Sequence, residues 1–244
     1  MKDRQGRIPR LFVDAALAPR TRLELPEGAA HHAARVLRLR EGDPAVLFDG
    51  RGGEYEAHLF MPGRGLVVAE ISEWRDIERE TPLSVTLAQA VSSGEKMDFT
   101  IQKAVELGVA AIQPLLTAKS VVKLSAEREE KKLVHWKRIA VAACEQCGRN
   151  RIPVIAEPLP LERYQPPSDI SKILLSPEGT QSLTSLAGGP VVLAVGPEAG
   201  FSTVEEQQLQ RIGFVPVRLG RRILRTETAA LAALAALNAL AGDF

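Results

Sequence analysis

The sequence is poor in the features that would commit it to several common functions. It has only two cysteines, Cys144 and Cys147, in 244 residues. Two are too few for a disulfide framework and fit a protein kept in the reducing cytoplasm. No long hydrophobic run occurs: the longest apolar stretch, Ala229–Ala241, is interrupted by Asn238 and is too short to span a bilayer. The opening residues MKDRQGRIPR have no apolar core, so no secretory signal is expected. Neither a G-x-G-x-x-G dinucleotide fingerprint nor a phosphate P-loop is present, which counts against a nicotinamide-dependent oxidoreductase and an NTPase. Internal repeats and low-complexity tracts are absent as well.

What is there is ordinary in bulk and uneven in detail. The composition, 45% hydrophobic and 25% charged, is that of a soluble globular protein long enough for one large or two modest domains. The net charge of +1 says nothing by itself about nucleic acid, but its distribution does. Residues 1–40 hold nine basic and four acidic side chains, a local excess of +5. A basic N-terminal module on a near-neutral chain is what a phosphate-binding face looks like, although solvated surface charge gives the same pattern.

Up to about Trp74 the pattern is strand-rich. Arg10–Val13, Pro44–Phe48, Glu54–Phe60 and Leu66–Ile71 read as strands, with one helix over Gly28–Leu37. Asp49-Gly50 and Gly52-Gly53 are hairpin-type turn signals. Closely spaced short strands predict a small β-barrel over residues 1–74. The charged stretch 75–82, which ends in proline, is the expected linker, and 83–244 the second domain. There the rhythm becomes alternating strand and helix, with strands at Leu83–Ala90, Val109–Leu116, Ile173–Leu175, Val191–Val195 and Phe214–Leu219. Helices are expected from Met97 to Val105, over Glu127–Gly148, after a capping box at Ser202–Glu205, and over Thr226–Ala241. Such alternation predicts an α/β domain built on a mostly parallel sheet. The last helix is Ala and Leu nearly all round, so it should be buried on most sides, with a homodimer interface as the second burial surface.

Three loops follow three late strands: 176–179 (SPEG), 196–200 (GPEAG) and 220–228 (GRRILRTET). Ligands of open parallel sheets bind beyond the carboxyl ends of strands, and glycine lets the backbone approach them closely. Each loop alone is weak; three in one domain point to a shared site. On the long helix, Arg138, Glu145 and Arg149 fall at i, i+7 and i+11 on one stripe, which reads equally well as a solvent-exposed ion-pair row. His31-His32 has no third ligand, and Cys144-x-x-Cys147 lies on an apolar helix face, so neither is read as a metal or redox site.

The blocks VGPEAGF (Val195–Phe201), LGRRILRTETA (Leu219–Ala229) and EQCGR (Glu145–Arg149) resemble the SPOUT methyltransferases. Within them the chain is similar to the 16S rRNA (uracil-N3)-methyltransferase family. The likeness extends to RIPRLFV (Arg7–Val13), HHAARVLRLREGD (His31–Asp43) and GEKMDFTIQKAVELGV (Gly94–Val109), and so covers nearly the whole chain. It implies a PUA-like RNA-binding barrel followed by an α/β domain with a deep trefoil knot. It also implies a homodimer without metal or membrane attachment that acts on 16S rRNA or the small ribosomal subunit. The cofactor implied is S-adenosylmethionine, with S-adenosylhomocysteine as product. By position, Leu175, Ser176, Gly196, Glu198, Gly200, Leu219, Gly220, Ile223, Leu224 and Thr226 would surround it. Ala199 departs from the family, which usually has a second glycine there; if that backbone needs φ > 0, alanine costs roughly 1 kcal/mol.

Uracil N3 carries a proton and is a poor nucleophile until it leaves, so a base or stabilisers of negative charge on O2 and O4 are required. Arg149, Glu198, Arg225 and Glu227 are the candidate catalytic residues. Arg7, Arg10, His31, His32, Arg35 and Arg38 are the candidate phosphate footprint, which would position RNA without reading its sequence. Two alternatives remain at this level: a ribose 2′-O-methyltransferase and a non-catalytic RNA-binding or ribosome-assembly factor.

Overall fold

The N-terminal strands form where apolar and polar residues alternate, as a sheet with one buried face requires. In the computed structural model, which describes residues 8–63, 65–120, 126–185 and 189–244, they are β1 (Arg10–Phe12), β2 (Thr21–Glu24), β3 (Pro44–Phe48), β4 (Glu54–Gly63) and β5 (Leu66–Arg75). They pair in the order β1-β3-β4-β5-β2, with β1 parallel to β3 and the other pairs antiparallel. Leu11, Leu47, Leu59, Val67, Ala69 and Ile71 point to one side and form the core with Ala29, Ala30 and Ala33. β2 was not expected, and β4 and β5 run beyond their expected ends. The β1 and β2 edges are not joined, so hydrogen bonds among the described residues do not complete the expected barrel. The expected helix is α1 (Glu27–His31), followed by a widened π turn over His32–Val36 in which Leu37 N donates to His32 O at 2.9 Å.

Contacts divide the chain into two units, and the first takes in Cys144–Ile152 as well as the residues up to Glu80. Polar bonds hold this distant segment. Glu145 Oε1 accepts from Phe12 N at 3.0 Å, and Asn150 Nδ2 donates to Ile77 O at 2.6 Å and to Glu54 Oε2 at 3.2 Å. Glu54, 6% exposed, also receives Arg10 at 2.6 Å and Arg79 at 3.0 Å. Burial alone would raise the Glu54 carboxyl, but the two guanidiniums and the Asn150 amide outweigh it and hold it below its ordinary value.

The second unit is α/β. Its elements are β6 (Val85–Ala90), α2 (Gly94–Glu106), β7 (Ala111–Leu116), α3 (Ala126–Cys147, whose last residues from Cys144 belong to the first unit), β8 (Val154–Ile155), β9 (Leu159–Pro160), β10 (Ser171–Leu175), β11 (Val191–Val195), α4 (Thr203–Arg211), β12 (Val215–Val217) and α5 (Thr226–Ala241). The strand order is β12-β10-β11-β6-β7-β8, with β9 also on β7, and every pair is parallel. All five residues of β11 are buried, as a strand covered on both faces requires. The two-residue strands β8 and β9 were not expected. Ser202 and Glu205 form the expected capping box of α4, and Gly213, at φ +96°, follows its end. On α5 a single stripe (Ala230, Ala233, Leu234, Leu237) is fully buried, so within one chain the helix is covered on fewer sides than expected. Asn238, which interrupts its apolar run, is buried with its polar atoms satisfied: it donates to Leu107 O at 2.7 Å and accepts from Thr81 at 3.2 Å. No helix among the described residues is long and apolar enough to cross a membrane.

Glu54 generates the stability prediction for the first unit. Glu54→Ala strands two guanidiniums and an amide and should cost roughly 3–5 kcal/mol in urea unfolding. Because its folded-state pKa lies below the unfolded value, this stabilisation is present above the ordinary value of 4.5 and disappears as pH falls through the lower folded value. A wild-type protein that loses this increment above pH 4.5, measured against Glu54→Ala, contradicts the assignment.

Candidate functional site

From β6 the sheet continues to β7 and β8 on one side and to β11, β10 and β12 on the other, and clefts open where the strand order changes sides, beyond the carboxyl ends of the strands. Here β11, β10 and β12 are neighbours, so the three loops that follow them meet. Together they enclose a cavity of about 260 Å³. A nucleoside would fill such a space. Leu175, Val195, Val217, Leu219 and Leu224 give it apolar walls, while Ser176, Glu198, Thr226 and the chain at Gly196 and Gly200 bring polar groups.

Each loop is held by identifiable contacts. Thr226, the first residue of α5, donates its hydroxyl to Gly196 O at 2.6 Å and accepts from Gln89 Nε2 at 3.0 Å. Lys119, after β7, reaches Ala199 O and Phe201 O at 3.3 and 3.1 Å. Glu205 both caps α4 and accepts from Ala118 N at 2.7 Å. Gly179 is needed for close approach: a Cβ there would stand 2.5 Å from the Val217 carbonyl carbon. In the second loop the left-handed position is Gly200, at φ +68°, and Ala199 has no positive φ, so the expected strain at Ala199 does not arise.

All of the residues expected around a cofactor line this cavity except Gly220. Ile223 does so with its side chain 85% exposed. Residues that the sequence did not single out are Lys96, Phe201, Glu206, Arg218, Arg222 and Ala229, which line the cavity, and Gln89 behind it. Gln89 left a signal, a fully buried polar residue in a strand, β6, that is apolar apart from it and Thr86.

The candidate catalytic residues are not gathered in one place. Arg225 lines the cavity as the N-cap of α5; Glu227, in the first turn of that helix, is not among the lining residues and has a buried oxygen without a partner. Glu198 is committed: Ser93 N and Lys96 Nζ both donate to its Oε1 at 3.2 Å. Burial would raise its carboxyl, but backbone amides and Lys96 hold it below the ordinary value. Arg149 belongs to the first unit, where it is 4% exposed and paired with Glu80. α3 ends at Cys147, so Arg149 leaves the helical stripe that Arg138 and Glu145 share.

The proposed phosphate footprint is equally divided. Arg7 lies outside the described residues. Arg10 is a correction: it is drawn inward by Glu54 and Asn150 and presents almost no charge to solvent. His32 stands 3.8 Å from Glu145, while His31, Arg35 and Arg38 are exposed. Cys144 is wholly buried, and burial pushes its thiol up to about 12. Among the described residues no group of three or more His, Cys, Asp or Glu is placed to hold a metal.

Residues 79–238 match the RNA methyltransferase domain family, and residues 25–72 the RNA methyltransferase PUA domain family. A ribosomal RNA small subunit methyltransferase E from Buchnera aphidicola (subspecies Schizaphis graminum) is 35% identical over 242 residues, covering 97% of this chain and 98% of that protein. This chain belongs to the methyltransferase E family. Two solved structures are similar to it over nearly their whole length. A methyltransferase from Legionella pneumophila in complex with SAM has 38% identity and a TM-score of 0.92, over 96% of this chain and 98% of that one. A methyltransferase E from Neisseria gonorrhoeae bound to S-adenosylmethionine has 39% identity and a TM-score of 0.89, with the same coverage.

Two outcomes test this geometry. Thr226→Val keeps the shape but strands the Gly196 carbonyl and the Gln89 amide, and should destabilise by about 1–3 kcal/mol in urea unfolding, whereas Thr226→Ser stays near wild type. Equal losses in both variants would deny the hydroxyl this role. Cys144 should resist alkylation in the native protein at about pH 8 and react on unfolding; rapid native labelling at Cys144 would contradict its burial.

Proposed function

We propose that the chain methylates N3 of a specific uridine in 16S rRNA of the small ribosomal subunit, in the cytoplasm, using S-adenosylmethionine. The observation that carries this reading is the cavity where the loops after β10, β11 and β12 converge, in a member of the methyltransferase E family. Its apolar walls suit an adenine ring and its loop backbone suits the polar remainder, so the residues fit the cofactor. Leu175, Ser176, Gly196, Glu198, Gly200, Leu219, Gly220, Ile223, Leu224 and Thr226 are the residues that would hold it. S-adenosylmethionine, when bound, supplies a methyl group on an electrophilic sulfonium.

The chain's own residues have three tasks: orient the uracil, take its N3 proton, and stabilise the charge left behind. A carboxylate held below its ordinary pKa is a weak proton acceptor, so we assign Glu198 to shaping the loop with Lys96 and Ser93. Glu227, with its unpartnered oxygen, is the better base. Arg225 lines the cavity at the start of α5, where the free N–H groups of the first helical turn add positive potential. Both favour negative charge spreading onto the uracil oxygens. Arg149, neutralised by Glu80 in the first unit, is given no part in the transfer.

This reading includes a PUA-like RNA-binding domain over residues 1–74, a linker over 75–82, and a trefoil-knotted domain over 83–244. In the first, His31, His32, Arg35 and Arg38 remain candidates for positioning RNA. It also includes a homodimer, supported by the Ala/Leu surface of α5 outside its buried stripe and by exposed Leu240 and Phe244 near its end.

The deciding experiment incubates the protein and S-adenosylmethionine with small subunits that lack the modification, then analyses nucleosides by mass spectrometry. The expected product is 3-methyluridine. Glu227→Gln should lower kcat by about 100- to 10,000-fold with little change in KM. A 2′-O-methyl nucleoside would overturn the uracil assignment, and an unimpaired Glu227→Gln the choice of base.

A further inference from the structure

Among the described residues of the first unit six arginines meet carboxylates, while Arg20, Arg35, Arg38, Arg40 and Arg51 do not. Arg10 and Arg79 meet Glu54, Arg22 meets Glu70, Arg75 meets Glu56 and Glu73, Arg149 meets Glu80, and Arg151 meets Glu78. The segment joining β12 to α5 concentrates unpaired arginines beside the cavity. Arg218, Arg221, Arg222 and Arg225 lie within eight residues, and all four are exposed. Among the described residues none of them has a carboxylate within ion-pair distance. Arg218, Arg222 and Arg225 line the cavity mouth, and Glu198 beside them is already neutralised by Lys96 at 3.2 Å.

Four guanidiniums on one short loop repel one another, so the arrangement calls for anions from outside the chain. The cofactor is a poor match. S-adenosylmethionine carries a sulfonium, an ammonium and one carboxylate, so it is itself net positive, and its single carboxylate can engage one guanidinium. A nucleic-acid strand presents phosphates at a regular spacing, and the planar guanidinium fork matches them. We infer that Arg218, Arg221 and Arg222 grip the RNA phosphates flanking the target nucleotide, an inference that rests on the RNA-methylation reading above. The loop between β12 and α5 then both walls the cofactor cavity and clamps the phosphates beside the target nucleotide. Removing these arginines weakens RNA binding through charge, and removing Arg221, which does not line the cavity, does so without altering the cofactor site.

The test measures the dissociation constant of end-labelled small-subunit rRNA across a range of KCl concentrations. It uses the wild-type chain, the three single Arg→Gln variants and the triple variant. Each phosphate left without its guanidinium should flatten the log–log salt dependence by about 0.7, and the triple variant by about two units. Affinity at low salt should fall about tenfold or more in the triple variant. The triple Arg→Lys variant should keep most of the slope, which separates charge from loop damage. S-adenosylmethionine affinity, read by calorimetry, should change less than twofold in Arg221→Gln, the one of the three that does not line the cavity. A wild-type slope in the triple Arg→Gln variant overturns the clamp, and so does a loss confined to cofactor affinity. Product analysis answers separately for the reaction: 3-methyluridine with unaltered slopes removes the clamp alone, and flattened slopes without product remove the methylation reading alone.

Discussion

The Thr226 hydroxyl is the interaction on which the cavity depends. It donates to Gly196 O at 2.6 Å and accepts from Gln89 Nε2 at 3.0 Å. One small group thereby ties β6, the loop after β11 and the start of α5. The bonds are obligatory, because Gln89 and Thr226 are buried and a buried polar group without a partner is costly. They are also confined to this edge. β11 offers only apolar side chains, all covered, so polar chemistry in the sheet is pushed to the ends of its strands, where the loops begin.

Where local chemistry decides, the sequence was readable. Val191–Val195 and Thr226–Ala241 have the boundaries that their residue patterns indicate, and the Ser202–Glu205 capping box is formed. The glycine loops converge because an alternating strand–helix chain makes a parallel sheet, which collects its carboxyl ends on one edge. Short elements were not readable in the same way. β2 pairs with β5, far along the chain, and β8 and β9 are two residues each. Nothing within two residues distinguishes such a strand from a loop; its ladder partner makes it.

Arg10 shows the same limit for charge. Beside a strand in a basic segment, it reads as a phosphate contact. Its carboxylate partner is 44 residues away and its amide partner 140, and both are reached only through tertiary structure. Gln89 is the converse, a polar side chain inside an apolar strand whose partner on α5 is 137 residues on. Motif matching found the residues around the cavity. It did not find the ones behind it, because those are chosen by what they hold in place.

Counting charges along the chain therefore does not say which of them are free to face an anion. Residues 1–40 carry an excess of +5, yet Arg10 and Arg22 within them already have carboxylates. A paired guanidinium contributes little field beyond its partner, because the two charges form a short dipole whose potential falls off faster than that of a single charge. Such a pair still organises the fold: Arg10, Arg79 and Glu54 hold a segment of chain from far along the sequence. The long-range field comes from charges with no partner, and Arg218, Arg221, Arg222 and Arg225 meet that condition within one loop. A chain with a net charge of +1 can in this way present a positive rim at its cavity.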